Sequence, residues 1–258
     1  MQKLWDKKAL FLHRILGDKV RLVGGCVRDY LLHKHFQDRD MATPLTPDEV
    51  VNLLEKHHVP HVDIGRPFGT IIAKVDGTPF EITTLRKDVL TDGRHAVVKF
   101  TKSWAVDAKR RDFTVNALYA DVHGKIYDYV GGIEDLKAGH LRFIGSAKKR
   151  MQEDYLRLLR YFRFWAKFGE RDIDPDVKRA IPFVMPFIST LSLDRRREEM
   201  FQIITGKRAK TTLNKMKKLG VLNDALLSIK FSKKQQKIIL DKRLEKMLAS
   251  FGFSEYKK

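Results

Sequence analysis

The chain has 258 residues, and 43% of them are hydrophobic, which is enough for the core of one large domain or two small ones. Its 51 Lys and Arg residues outnumber 32 Asp and Glu, so the net charge of +19 favours a polyanionic partner such as RNA, DNA or an anionic membrane surface, unless the source proteome is simply rich in lysine. A single cysteine, Cys26, excludes an internal disulfide framework and a cysteine cluster for zinc.

No apolar run approaches the ~20 residues that a membrane span requires. The first residues, Met-Gln-Lys-Leu-Trp-Asp-Lys-Lys, also lack the apolar core of a signal peptide. We therefore expect no membrane partner and a cytoplasmic location. The sequence gives no indication of the oligomeric state.

The first predicted elements are an opening helix and a strand–turn–helix–strand unit. Residues 3–16 carry apolar side chains at helical spacing. The stretch 22–43 is typical of a short apolar strand, a turn at Gly24 and Gly25, an amphipathic helix and a second strand that carries Asp38 and Asp40.

The two aspartates of the second strand suggest a metal site. Asp38 and Asp40 are one residue apart, so both point to one face of a strand while Arg39 points to the other. Paired oxygen ligands without Cys or His suit a hard ion such as Mg²⁺. The side-chain-free turn at Gly24 and Gly25 lets backbone N–H groups approach an anion closely. A solvated strand end and an ordinary turn are the alternatives for each feature taken alone.

Three further segments follow before residue 105. Pro47 is predicted to begin a helix. Two β-rich runs, 68–75 and 79–85, are joined by Asp76-Gly77, which is a strong hairpin signal, and the second run contains Glu81. Residues 87–104 show little periodicity, which predicts a long loop.

The order and spacing of these features resemble a known family. Gly24-Gly25, twelve residues and then Asp38-x-Asp40 resemble the signature of the polymerase β superfamily of nucleotidyltransferases. The fuller strings, Gly-Gly-Cys-Val-Arg-Asp-Tyr-Leu-Leu and Asp-Arg-Asp-Met-Ala-Thr, are similar to class II tRNA nucleotidyltransferases, the CCA-adding enzymes, and to bacterial poly(A) polymerases. The resemblance implies that Asp38 and Asp40 are catalytic and hold Mg²⁺, with Glu81 as the third acid.

The resemblance continues through two more motifs. Arg-Arg-Asp-Phe-Thr-Val-Asn-Ala-Leu at 110–118 is similar to the second motif of the family, although a salt-bridged helix start explains its arginines equally well. Because guanidinium groups bind phosphate oxygens bidentately, Arg111 and Asn116 suit a triphosphate and its sugar. The resemblance implies that the nucleotide also contacts Gly24, Gly25, Arg28 and Asp112. Residues 128–136 resemble the third motif, for which we expect a hinge or packing role, and 91–95 resemble the family's flexible loop.

Residues 146–169 are predicted to form one long helix. It carries Glu153-Asp154-x-x-Arg157, which resembles the fourth motif of the family, and the resemblance implies that Asp154 and Arg157 recognise the base. Cytosine and adenine both offer an amine donor beside a ring-nitrogen acceptor, whereas uracil and guanine present a carbonyl acceptor beside an N–H donor. A carboxylate accepts and a guanidinium donates, so Asp154 and Arg157 are complementary to C and A. An ordinary i,i+3 ion pair is the alternative. Glu153 could hold Arg157 in place, and Arg160 and Arg163 follow as further nucleotide-binding candidates.

The remainder of the chain is basic. Residues 194–199 lie where the family's fifth motif begins a helix, and a charged helix start explains them equally well. Lysines and arginines then interleave with apolar residues, which predicts amphipathic helices with basic outer faces that either track a tRNA backbone or are simply solvated. The basic positions are Lys207, Arg208, Lys210, Lys215, Lys217, Lys218, Lys233, Lys234, Lys237, Lys242, Arg243 and Lys246, and the apolar ones include Leu213, Met216 and Ile238.

Together these features predict an α+β protein. We expect a nucleotidyltransferase-type mixed α/β head at 1–140, an all-helical neck at 141–190 and a shortened basic body at 191–258, where the family usually continues further. The expected activity is template-independent addition of CCA to tRNA 3′ ends from CTP and ATP with Mg²⁺. A poly(A) polymerase or an enzyme that adds only CC or A is the alternative, and a non-catalytic RNA-binding protein is disfavoured because all three acids are present.

Overall fold

The computed structural model describes residues 3–91, 96–169 and 171–239, together with 247, 250 and 251. The chain forms two compact units, of which the first takes residues up to 137 and 142–145 and the second takes 138–141 and the residues from 146 onward. Strands lie in the first unit and helices alone make up the described part of the second, so the predicted mixed α/β head followed by a helical region is confirmed. None of the described helices has the length and hydrophobicity to span a lipid bilayer.

The first unit is built on a twisted sheet with helices around it. Its helices are α1 (Lys7–Leu16), α2 (Gly25–Leu31), α3 (Pro47–Lys56), α4 (Trp104–Arg110) and α5 (Gly132–Lys137). Its strands are β1 (Arg21–Val23), β2 (Asp40–Thr43), β3 (His61–Val62), β4 (Thr70–Val75), β5 (Thr78–Thr84), β6 (Arg86–Thr91), β7 (Ala96–Phe100), β8 (Leu118–Ala120) and β9 (Ile126–Asp128).

The order of the strands places β1 and β2 near the middle of the sheet. The order is β3, β4, β5, β2, β1, β8 and β9, and β6 and β7 pair separately as a two-stranded ribbon. Strands β2 and β5 are parallel, whereas β1 is antiparallel to β2 with Val23 opposite Asp40. The turn that leaves β1 therefore lies beside the first residue of β2.

Local sequence signals account for several of these elements. Asp76 and Gly77 both have positive φ angles, 45° and 74°, and they join β4 to β5 as the predicted hairpin. Helix α3 begins at Pro47 as predicted, behind a capping box in which Thr46 and Glu49 satisfy each other's backbone N–H groups.

The predicted loop before residue 105, and the alternative of a salt-bridged helix start for Arg110 and Arg111, are both wrong. The predicted loop 87–104 contains most of the β6–β7 ribbon and its following turn, while its segment 92–95 lies outside the described residues. Helix α4 ends at Arg110, so Arg110 and Arg111 lie at the end of a helix and not at its start.

The described helices of the second unit are α6 (Ala147–Glu153), α7 (Leu156–Phe168), α8 (Pro175–Val184), α9 (Leu193–Ile204), α10 (Ala209–Lys218), α11 (Val221–Leu226) and α12 (Lys233–Ile239). The single helix predicted at 146–169 is wrong, because the backbone of Asp154 is extended, with φ −156° and ψ 107°, and separates α6 from α7. The buried apolar stripe nevertheless runs on through both helices, from Met151 to Leu158 and Phe162.

Helix α10 has the predicted basic outer face. Leu213 and Met216 are buried, while Lys210, Lys217 and Lys218 are exposed. In α12 the prediction is wrong for Ile238, which is exposed. The basic positions 242, 243 and 246 lie outside the described residues.

Candidate active site

The turn between β1 and α2 requires a glycine. Gly24 has φ 75° and ψ −123°, in the half of backbone space that other residues rarely adopt. Its N–H donates to the Leu118 carbonyl at 3.0 Å. A side-chain carbon at Gly24 would lie 3.5 Å from the Asn116 carbonyl oxygen and 3.7 Å from Arg111 Nη1. The first and second predicted motifs therefore meet at this turn.

Asp40 lies next to Glu81 because of the strand register. Met41 pairs with Ile82 in the parallel β2–β5 ladder. The residue before each of them, Asp40 on one strand and Glu81 on the other, therefore lies at the same level. Asp38 precedes the strand and is exposed, so only Asp40 of the pair belongs to β2.

The pKa of Asp40 is shifted by the charged residues near it. Burial first, then the charge of Glu81 and, more weakly, that of Asp38 raise the pKa of Asp40 to about 6, while Arg111 opposes the rise. Asp38, Asp40 and Glu81 therefore form one negative cluster. Among the groups that shift the pKa of Asp40, Arg111 is the only positively charged one.

The acidic cluster suits a cation that takes only part of its coordination from protein. Within the described residues, no group of three or more His, Cys, Asp and Glu side chains is arranged to hold a metal ion. Asp38 and Asp40 remain as a pair of carboxylates. A hard cation such as Mg²⁺ is commonly held by one or two carboxylates, with water and substrate phosphates completing its coordination. The oxygen donors present fit that arrangement.

Arg111 is fixed by a buried network at the end of α4. Asp107 is fully buried and accepts from Arg110 Nε at 2.7 Å, Arg111 Nη2 at 3.2 Å and the Tyr119 hydroxyl at 2.7 Å. Burial favours neutral Asp107, but the charges of Arg111 and Arg110 hold its pKa below the usual range. Burial likewise opposes the charge on Arg111, and Tyr119 and Asp107 overcome it and raise its pKa. Arg111 therefore stays charged in a fixed position.

Arg28 links α2 to the second motif. It is buried and binds both carboxylate oxygens of Asp29, at 2.9 Å and 3.0 Å, and its Nη1 donates to Asn116 Oδ1 at 2.5 Å. Asn116 Nδ2 in turn donates to Asp112 Oδ1 at 3.3 Å, and that oxygen also accepts the Phe113 N–H at 2.9 Å. This chain of hydrogen bonds orients the Asn116 amide.

The third motif makes a packed turn in the first unit. The Asp128 carboxylate accepts from the N–H groups of Val130, Gly131 and Ile133 and so shapes the entry to α5. Asp135 on α5 accepts from the Thr114 hydroxyl at 2.6 Å. We expected a hinge or a packing role for the third motif. These contacts pack it against the second motif.

In the second unit, Asp154 and Arg157 have separate partners. Asp154 Oδ1 accepts the Leu156 N–H at 3.1 Å and its Oδ2 accepts from Arg195 Nη2 at 2.8 Å. Arg157 Nη1 donates to Glu153 Oε2 at 2.5 Å, as predicted, and to the Arg150 carbonyl at 2.8 Å. The i,i+3 ion pair between Asp154 and Arg157 is therefore not the arrangement seen.

The other two arginines of α7 contact an aromatic ring. The guanidinium carbons of Arg160 and Arg163 lie 5.8 Å and 4.6 Å from the ring centroid of Phe164. Arg163 Nε is also 3.2 Å from Glu199 Oε2 on α9.

The sequence interpretation missed several partners of the candidate residues. Asp107 precedes Arg111 by four residues, and that helical spacing was a usable signal. Tyr119 on β8 and Arg195 on α9 carried no such signal, because their contacts with Asp107 and Asp154 arise only in the folded chain.

Comparison with known proteins defines the class first. The family model described as "Poly A polymerase head domain" matches residues 20–142, and the one described as "Probable RNA and SrmB- binding site of polymerase A" matches 172–230. Fold and site thus define a nucleotidyltransferase-type head followed by a helical region of the kind found in polymerase A.

The individual relatives are CCA-adding enzymes or tRNA nucleotidyltransferases. "CCA tRNA nucleotidyltransferase 1, mitochondrial" of Danio rerio is 41% identical over 206 residues, which are 79% of this chain and 48% of the relative. The crystal structure of the Bacillus stearothermophilus CCA-adding enzyme in complex with CTP is 32% identical, has a TM-score of 0.77, and is matched over 93% of this chain and 57% of that one. A tRNA nucleotidyltransferase complexed with a primer tRNA and an incoming ATP analog is 25% identical, with a TM-score of 0.68 and coverage of 94% and 70%.

The chain belongs to the family of class II CCA-adding enzymes and poly(A) polymerases, as its motifs predicted. It spans about half the length of the curated relatives it matches.

Proposed function

We propose that this chain is a template-independent tRNA nucleotidyltransferase that extends tRNA 3′ ends by CCA, with CTP and ATP as substrates. The observation that carries the proposal is the acidic cluster of Asp38, Asp40 and Glu81 beside a fixed Arg111. Burial, together with the charges of Glu81 and Asp38, raises the pKa of Asp40 in this cluster to about 6. An oxygen-rich cluster with excess negative charge next to a phosphate-binding cation is what nucleotidyl transfer needs.

Asp38 and Asp40 would hold Mg²⁺, which supplies activation of the primer hydroxyl and neutralisation of the triphosphate charge. In the reaction the primer 3′-hydroxyl loses its proton to solvent and its oxygen forms a bond to the α-phosphorus. The bond between the α-phosphorus and the oxygen that bridges it to the β-phosphorus breaks, and pyrophosphate leaves with that oxygen. Glu81, level with Asp40, adds a third carboxylate that orients the attacking hydroxyl. The choice of Mg²⁺ over other divalent ions is part of the proposal.

The residues around the cluster bind the nucleotide. Arg111 places a permanent positive charge for the triphosphate, since Asp107 and Tyr119 keep it fixed and protonated. The Gly24-Gly25 turn allows close approach of backbone N–H groups to phosphate. Arg28 acts through Asn116, which it orients, and Asp112 supports the same amide. Asn116 is then available to the sugar.

Base choice is assigned to the helical region. The carboxylate of Asp154 accepts from the exocyclic amine of C or A, and the guanidinium of Arg157, held by Glu153, donates to the ring nitrogen. Arg160 and Arg163 add positive charge on the same helix. The neck at 141–190 and the basic body at 191–258 would serve as the tRNA-binding region.

The named relatives support this assignment. One solved CCA-adding enzyme is in complex with CTP, and a solved tRNA nucleotidyltransferase is complexed with primer tRNA and an ATP analog. The cytoplasmic location stays a prediction. The Danio rerio relative is named as a mitochondrial protein, so an organelle is the alternative location.

A second candidate is a poly(A) polymerase, because the family model that matches 20–142 is that of a poly(A) polymerase head. Incubation with Mg²⁺ and a tRNA that ends at the discriminator base, with CTP and ATP singly and together, separates the possibilities. Growth by CCA supports the proposal, growth by CC or A alone supports a partial enzyme, and a long A tail supports the polymerase. RNA binding without growth supports a non-catalytic protein.

The same assay tests the acidic cluster. Asp40→Ala should abolish transfer, because it removes one of the two proposed metal ligands. Asp18→Ala is the matched control, since the Asp18 side chain is 90% exposed and pairs only with His13 in the contacts described. Transfer by Asp40→Ala at the wild-type rate would remove the assigned site.

A further inference from the structure

Arg39 lies between the two candidate metal ligands, yet its guanidinium is directed elsewhere. The residue is 8% exposed. Its Nε donates to the Leu4 carbonyl at 3.0 Å, and its Nη2 donates to the Lys3 carbonyl at 3.3 Å. Its Nη1 lies 3.2 Å from Asp6 Oδ2. All three nitrogens of Arg39 thus contact the segment 3–6, which we call the N-terminal latch.

The latch is itself anchored to the first unit. Leu4 and Trp5 are buried, and the Trp5 ring meets His13 of α1 edge-on at 5.5 Å. Asp6 Oδ1 accepts the Ala9 N–H at 2.9 Å and caps α1, so one carboxylate both starts the helix and binds Arg39. The latch therefore offers Arg39 fixed partners.

The segment that carries Asp38 has no strand or helix of its own. Residues 34–39 have no regular secondary structure, and the β2 ladder begins only at Asp40. The buried side chains in this segment are Phe36 and Arg39, and the Arg39 guanidinium lies 4.9 Å from the Phe36 ring centroid. Arg39 is therefore the anchored residue next to exposed Asp38 and directly before Asp40.

We propose that Arg39 is a positioning residue, which holds Asp38 and Asp40 in metal-binding geometry by fastening the backbone between them to the N-terminal latch. This inference rests on the proposed role of the two aspartates as metal ligands. Arg39 does not contact the metal or the substrate; it sets the separation of the two carboxylates. Residues that orient metal ligands without touching the metal typically change metal affinity by about tenfold to a hundredfold.

The test uses two variants and a matched control. Arg39→Met keeps a long side chain but removes every guanidinium contact. Asp6→Asn keeps a good helix cap while it removes the charge that Arg39 meets. Arg66→Met is the control for the loss of an arginine that binds carboxylates on the same unit, because Arg66 forms ion pairs with Asp48 and Asp63, although its side chain is more exposed than that of Arg39.

Two measurements are made on the full chain. Mn²⁺ binding in the presence of CTP is followed by electron paramagnetic resonance, and the Mg²⁺ concentration for half-maximal CMP incorporation is measured with the KM for CTP at saturating Mg²⁺. For Arg39→Met we expect about tenfold weaker Mn²⁺ binding and about tenfold more Mg²⁺ for half-maximal transfer, with an almost unchanged KM. Asp6→Asn should shift both in the same direction by less, and Arg66→Met should shift neither.

The outcomes separate this inference from the proposed function. Wild-type transfer with unchanged Mn²⁺ affinity in folded Arg39→Met overturns the inference alone. Absence of transfer in the wild type, with Mn²⁺ binding that weakens in Arg39→Met, overturns the proposed function and supports the inference. If Arg39→Met fails to fold, Asp6→Asn decides, and an unchanged metal affinity in that variant overturns the inference.

Discussion

Among single residues, Asp40 has a shifted pKa that should make the stability of the protein depend on pH. Burial, followed by the charge of Glu81, raises the pKa of Asp40 to about 6 from the usual 3.8. Because the folded pKa lies above the unfolded one, the folded state favours the protonated acid. This contribution to stability is fully present below the unfolded pKa and is lost as the pH rises through about 6.

Asp40→Asn should therefore stabilise the metal-free protein in a pH-dependent manner. In EDTA at about pH 7.5 we expect the variant to unfold with a free energy about 2 kcal/mol higher than the wild type, discounted for partial exposure of the carboxyl. Near pH 4 most of the difference should be lost, because Asp40 of the folded wild type is then neutral as well. Urea unfolding at the two pH values measures this, and an equal difference at both would show that charge at Asp40 is not the cause.

Asp154 offers a second test at the level of one side chain. Asp154→Asn keeps an oxygen that can accept the Leu156 N–H, so the start of α7 is preserved. The new amide nitrogen can donate to the carbonyl of U or G, which the carboxylate cannot do. We expect the ratio of kcat/KM for CTP over UTP to fall about tenfold or more, the size expected for one hydrogen bond to a charged group.

Single-turnover incorporation of each nucleotide measures this ratio. Asp172→Asn is the control, because Asp172 is a surface acid of the same unit that contacts Lys178 and Lys215. An Asp154→Asn protein that selects C and A as well as the wild type does would contradict the assignment of base choice to this residue.

Whole elements were predictable where the chain carries local turn or cap chemistry. The β4–β5 hairpin follows from Asp76-Gly77, and α3 follows from Pro47 behind a capping box. The β6–β7 ribbon has no such signal, and its partly exposed strands, with Val89 53% exposed, lack the alternation that marks a half-buried strand. The break at Asp154 was hidden because the apolar stripe continues across it.

The same limit applies to the candidate site. Residues that cluster within a motif, such as Arg111 and Asn116, were found together, since short-range spacing fixes their proximity. The partner of Asp154 is 41 residues away on another helix, and a contact of that kind depends on packing that no local pattern records. Arg39 was predicted to point away from the two aspartates, but its partners on the N-terminal latch were not predicted.

Helix α5 offers a test of how the third motif packs. A side-chain carbon at Gly132 would lie 2.2 Å from the Thr114 carbonyl oxygen and 2.8 Å from its carbonyl carbon, which is too close for any real contact. Gly132→Ala must therefore push α5 away from the turn that precedes Asn116. We expect a loss of about 3 kcal/mol or more in the free energy of unfolding.

Gly124→Ala separates this clash from backbone strain. Gly124 has φ 81° with nothing within 4 Å of an added carbon, so its substitution should cost only about 1 kcal/mol. Chemical denaturation of both variants measures the two costs. Equal losses would mean that the close approach of α5 to Thr114 is not what makes glycine necessary at 132.

For the molecule as a whole, the excess of positive charge bears on RNA binding. A net charge of +19 attracts any polyanion, so charge alone does not locate a binding surface. The α10 face is a specific candidate, because Lys210, Lys217 and Lys218 are exposed there while Leu213 and Met216 of the same helix are buried.

Reversal of Lys210, Lys217 and Lys218 to Glu should weaken tRNA binding by about tenfold or more at moderate salt. It should also reduce the slope of log Kd against log salt by about one for each lost phosphate contact. The control reverses three exposed lysines of the first unit, Lys7, Lys56 and Lys74, and so makes the same change in net charge. Fluorescence anisotropy with labelled tRNA across a salt series measures both slopes. The two variants differ only in where the charge is reversed. Equal weakening of tRNA binding in both would assign the binding to the overall positive charge of the molecule. Weakening in the α10 variant alone would assign the binding to α10.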